Sequence, residues 1–178
     1  MSRTFVQCMV LGAFVAGCAS TPRSEGKRSQ LEIDAAQARQ AMLAKDPALR
    51  SLLDRAAGYI VFPAIKQGGF VVGGAGGEGV VYEHGRPAGF ASLSQGSFGA
   101  QVGGQKFAEL IVVRDKFTLD KIRAGSFDVG AQSSAVILKA GAAAATHFAE
   151  NGVAIVVDPI GGAMLNVSIT GQKIKATM

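Results

Sequence analysis

The chain has 178 residues, 48% of them hydrophobic, with 24 glycines, two cysteines, no tryptophan and a formal charge of +5. That length suits one domain with a substantial core. The mild basic excess permits contact with anionic lipid or polymer without calling for nucleic acid, and two cysteines are too few for a disulfide-built scaffold.

Met1-Ser2-Arg3 is a short positive start, and Cys8 to Ala16 is mostly apolar. Small residues follow at Val15-Ala16-Gly17-Cys18. Such a pattern predicts a secretory signal over residues 1–17. Its apolar run falls far short of the ~20 residues that span a bilayer. V-A-G-C also looks like a bacterial lipobox, which makes Cys18 the lipidated first residue of the mature chain. Two or more acyl chains anchor a protein stably where one does not. Cys8 leaves with the signal, so the mature chain has no disulfide. Ala19 after the cysteine, rather than aspartate, implies sorting to the outer membrane by the rule such lipoproteins follow. Residues 18–28 are polar, with Pro22 and Gly26, and predict a disordered tether. The folded domain is expected over 29–178.

Ser29-x-x-Glu32 has the form of a capping box. Leu31, Ala35, Ala38 and Met42 follow at helical spacing. Asp46-Pro47 ends this helix and opens a second, with Leu49, Leu52, Leu53 and Ala56 on its apolar side and Gly58 at the C′ position. Arg39, Lys45, Arg50 and Arg55 decorate these helices, and Lys66 follows. Basic amphipathic helices either lie on membranes or pack on their own sheet with their charges in water.

From Gly58 to Gly104, short Val-, Phe-, Ile- and Tyr-rich runs alternate with glycine clusters. They predict short strands joined by tight turns, in a sheet bent at its glycines. Gly74, Gly76 and Gly79 match the dinucleotide fingerprint G-x-G-x-x-G, but Val80-Val81-Tyr82-Glu83 reads as strand where that motif needs a helix. His84-Gly85-Arg86-Pro87 reads as a turn. Further strands are expected at 107–113, 127–129, 135–138, 153–157 and 163–169. A helix over 119–123, capped by Asp115 or Thr118, ends at Gly125. Residues 139–150 fit a short helix or a loop, Asp158-Pro159 a turn, and Ile174 the end of the last pairing. The fold class is α+β: N-terminal helices, then a strongly bent, mostly antiparallel, glycine-rich sheet or partly open barrel with one more short helix.

Catalytic signals are weak. His84 and His147 have no ligand partners at metal spacing. Ser133, His147 and Asp158 form a triad only on paper, without a G-x-S-x-G elbow. Neither catalysis, metal nor cofactor is expected.

Four segments carry a family resemblance: Ala57–Pro63 (AGYIVFP), Gly68–Gly74 (GGFVVGG) with Gly77–Val80, Ser97–Gln105 (SFGAQVGGQ) and Gly162–Ile174 (GAMLNVSITGQKI). In this order they resemble the SYLF domain, from about Leu49 to Ile174. That resemblance implies a lipid-binding domain in a bacterial lipoprotein, held by Cys18 at the periplasmic face of the outer membrane and binding anionic phospholipid. Arg50, Arg55 and Lys66, grouped in sequence around Pro63, are the headgroup candidates. The alternative is a structural or interaction module that binds another envelope protein or a cell-wall polymer.

Overall fold

The computed structural model describes residues 24–69, 72–98, 103–125, 127–129, 136–139, 148, 152–161 and 171–178. Along them run helix α1 (Glu25–Lys45), helix α2 (Leu49–Asp54), strands β1 (Gly58–Gly69), β2 (Val72–Glu83), β3 (Arg86–Phe98) and β4 (Gly103–Val113), helix α3 (Lys116–Arg123), and strands β5 (Phe127–Val129), β6 (Val136–Lys139), β7 (Val153–Gly161) and β8 (Gln172–Thr177). The strands form one sheet in the order β5-β8-β3-β2-β1-β4-β7-β6. Every pairing is antiparallel except β6 with β7. The sheet curls into an open half-barrel, the α+β architecture expected from the sequence.

Both faces of the central strands are buried, by different means. On the inner, concave face Ile60, Phe62, Val81, Leu93, Ile111, Ile155 and Ile174 form one core, joined by Leu119 and Ile122 of α3. On the outer face Tyr59, Val61, Val80, Tyr82, Leu110, Val112 and Val156 pack under Leu31, Ala35, Met42, Leu49 and Leu52 of α1 and α2. Alternation along each strand sends successive side chains to opposite cores. Helix α1 crosses the strands: Arg28 sits over Phe90 of β3, Arg39 over Tyr59 and Tyr82, and Lys45 reaches Asp158 of β7 at 2.7 Å.

Glycine clusters prove to be strand rather than turn. The expected short strands are instead four strands of 11 to 13 residues, with glycines inside the ladders. Gly79 shows why: a Cβ there would lie 2.6 Å from Phe62 Cδ1 and 2.7 Å from Val61 O. The expected turn at 84–87 contracts to His84-Gly85, both with positive φ, as a two-residue type I′ hairpin requires. Pro63 sits mid-strand without an N–H to offer. It is accommodated where the register of β1 shifts against both neighbours.

Other boundaries also move. Helix α1 begins at Glu25 with Ser24 at its N-cap, so residues 25–28, expected in the tether, are helical, and Ser29 lies within the helix. Gly58 opens β1 rather than closing α2. A Cβ there would meet Leu119 at 2.8 Å. Asp158-Pro159 continues β7, which absorbs Pro159 beside a register shift against β4. Strand β8 runs past Ile174 to Thr177. Asp115 caps α3 as expected, accepting from Thr118 N at 2.9 Å and from Thr118 Oγ1 at 3.1 Å. Asp115→Ala should therefore cost about 1 kcal/mol, read as a lower urea midpoint with an unchanged slope. The expected strand at 163–169, and the segment 139–150 apart from Lys139 and Phe148, lie outside the described residues.

Candidate functional site

The expected headgroup residues do not meet. Arg50 and Arg55 sit at the end of the domain where β1 begins. Lys66 is eight residues along β1, about 26 Å away at ~3.3 Å per residue. Arg55 Nε donates to Ser51 O at 3.0 Å. Arg50 lines a groove of about 570 Å³ with Arg39, Leu43, Leu53, Asp54 and His84. Arg39 itself is spent on the fold: its guanidinium donates to Tyr59 Oη and covers the rings of Tyr59 and Tyr82, which stack 4.9 Å apart. Burial pushes the Tyr82 phenol above its ordinary range, against the opposing pull of Arg39.

At the far end of the sheet, beyond the cover of α1, the outer face changes character. Lys66 of β1 stands directly opposite Lys106 of β4. In the same row follow Gly76 of β2, Ser94 of β3 and Lys173 of β8. Lys66, Lys106 and Lys173 are exposed, and no salt bridge to them occurs among the described residues. Like charges directly opposite each other on a sheet destabilise it. The next outward row is Gly104, Gly68, Gly74 and Gly96, in register across β4-β1-β2-β3. All four are exposed. A Cβ at Gly68 or Gly96 would meet nothing within 4 Å, so packing does not require glycine at those two positions. The result is a bare-backbone platform about 14 Å wide, at ~4.8 Å per strand, bordered by lysines. A flat anionic surface can reach this backbone without a side chain standing in the way.

Behind the platform the inner face turns polar. Gln105, Gln67, Ala75, Gln95 and Gln172 form one row across β4-β1-β2-β3-β8. Gln67, Gln95 and Gln172 are buried. Glu109, four residues along β4 from Gln105, is fully buried and accepts from Gln172 Nε2 at 3.0 Å across the curl. Burial pushes its carboxyl up to about 7, against the smaller opposite effect of the Gln172 amide.

No family model matches the chain, and none of the curated proteins is similar to it. Cys18, Ser133 and His147 lie outside the described residues. Asp158 faces the helix side in its pair with Lys45. No group of three or more metal-ligating side chains occurs among the described residues, and no helix among them is long and apolar enough to cross a membrane.

The sequence reading missed Lys106, Lys173 and the whole inner polar row. A signal was there to find. Lys66-Gln67, Gln105-Lys106 and Gln172-Lys173 each place two polar residues side by side in a strand. In a strand with an apolar inner face, such a doublet marks where that face turns polar.

Proposed function

We propose that this chain is a non-catalytic lipoprotein of the bacterial cell envelope. Acylated Cys18 tethers it to the periplasmic face of the outer membrane, and its folded domain binds anionic phospholipid. The lipobox and the resemblance to the SYLF domain support this reading. The observation that carries it is the platform of exposed glycines bordered by Lys66, Lys106 and Lys173. Lys66 and Lys106 face each other with no salt bridge among the described residues, which costs the fold repulsion, and Lys173 extends their row with Asp128 of β5 opposite it. That cost is offset at an anionic surface, where each lysine contributes about 1 kcal/mol. Lys66 is retained from the sequence candidates as a direct contact. Arg50 and Arg55, at the other end of the domain, are outside it.

The test uses residues 19–178, without the acylation site, and vesicles of graded anionic content. Binding should rise with anionic lipid and weaken with salt. Lys66→Glu with Lys106→Glu and Lys173→Glu should lower it at least a hundredfold, whereas Arg50→Glu with Arg55→Glu should change it little. Unchanged binding by the triple variant would sink the surface assignment.

A second reading, an interaction module for an envelope protein or wall polymer, is favoured by the mixed apolar and basic groove around Arg50. It would gain if no vesicle bound the wild-type domain while Arg50→Glu released a partner captured from envelope extracts.

A further inference from the structure

The inner polar row holds more acceptors than its own donors satisfy. Among the described residues, Gln105 Oε1, Glu109 Oε1 and Gln172 Oε1 are all buried without a hydrogen-bond partner. Each such atom costs about 1–3 kcal/mol when nothing donates to it. Two of them belong to one spot, because Gln172 Nε2 holds Glu109 Oε2 at 3.0 Å. All three orphans are oxygens, so the missing partner is a donor. One oxygen belongs to a carboxyl, so the donor that suits it best carries a single positive charge. A calcium ion needs six to eight oxygen ligands, and a zinc ion would need nitrogen or sulfur as well. Neither set occurs among the described residues. A primary ammonium brings three N–H donors and one charge.

Access is from the rim. Ala75 interrupts the row on β2, so the row itself carries no large side chain between Gln67 and Gln95, while Ile65 and Phe107 fill the inner face behind it. Gln105 is only half-buried, so the row meets solvent at the open end of the curl. Among the side chains described at this end of the inner face, Glu109 is the one that ionises. Arg123 and Glu83 pair at the opposite end, 2.7 Å apart. On edge strand β6, Lys139 holds the register position beside Val157, which in turn lies opposite Glu109.

We propose that the open end of the half-barrel binds a primary ammonium group, with Glu109 and Gln172 as its acceptors and Gln105 at the entrance. The same chemistry is offered by a free alkylamine and by an amine-bearing lipid headgroup. The site is a different one from the lysine platform, and the two proposals stand or fall separately.

The experiment uses the full-length protein in nonionic detergent, titrated with ethanolamine hydrochloride in a calorimeter, with choline chloride at equal ionic strength as the control. Choline has the same charge but no N–H donor. Ethanolamine should bind saturably with one site and choline should not. Affinity should fall about tenfold from pH 8 to pH 6, as Glu109 takes up its proton. Glu109→Gln, nearly isosteric, should abolish binding while the protein keeps its unfolding transition, and Gln172→Leu should weaken it at least tenfold. Vesicles with ethanolamine or choline headgroups, at one fixed anionic content, then separate the two sources. Preference for the ethanolamine vesicles assigns the site to a lipid headgroup, and equal binding with intact ethanolamine titration assigns it to a free amine. Absence of saturable ethanolamine binding, equal binding of choline, or full binding by Glu109→Gln overturns the proposal.

Discussion

Replacing Glu109 with glutamine is expected to stabilise the protein at pH 8 and to flatten its stability against pH. In the fold Glu109 keeps its proton up to about pH 7, against an ordinary 4.5. Between those values the native state binds more protons than the unfolded chain. Stability must therefore fall as pH rises from about 4.5 to about 7 and level off above. The shift corresponds to about 3 kcal/mol at one pH unit per ~1.4 kcal/mol. The cause is physical and local: a carboxylate inside the curl has lost its water and has one amide in exchange. Glutamine keeps the shape and cannot ionise. Urea unfolding at pH 5 and pH 8 should show the wild type losing stability between the two while Glu109→Gln does not. If the variant kept the wild-type difference, the charge responsible would lie elsewhere.

Gly79→Ala should be among the most damaging small substitutions in the sheet. The added methyl would press on Phe62 Cδ1 at 2.6 Å and on Val61 O at 2.7 Å. A ring can turn, but the carbonyl belongs to the β1 ladder paired with Val80 and cannot retreat without breaking the pairing. Phe62 is fully buried among the inner core residues, so its ring has no free volume to move into. Overpacking of this kind costs about 3 kcal/mol, a drop in melting temperature on the order of 10 °C. Gly68→Ala is the matched control, since a methyl there meets nothing within 4 Å. Equal melting temperatures for the two variants would mean that β1 and β2 yield more easily than their register suggests.

These two residues mark the limits of what could be read along the chain. Elements set by neighbours in sequence were legible. Asp115 caps α3 because its carboxylate reaches an N–H three residues on, and Asp46-Pro47 ends α1 by the same kind of local rule. The β-branched and aromatic runs at Tyr59–Phe62 and Phe107–Val113 announced strands, because residue type needs no partner to be seen. Glycine clusters were misread as turns because glycine's reason for being at position 79 is Phe62, seventeen residues away, and a strand that lacks side chains for packing reasons looks like one that lacks them for turning.

The expected leader, lipobox and family resemblance were likewise read from short runs of neighbouring residues. Only the tertiary structure decided which cations stand together. Arg50, Arg55 and Lys66 are near in sequence, yet β1 carries Lys66 to the opposite end of the domain, because an extended strand moves about 3.3 Å per residue. Curling of the sheet did the reverse for Glu109 and Gln172. They are 63 positions apart with three strands between theirs in the sheet, and they touch because a bent sheet folds its two sides toward each other. Pairing register, which depends on every strand at once, aligned the lysines outside and the glutamines inside at the same end of the half-barrel.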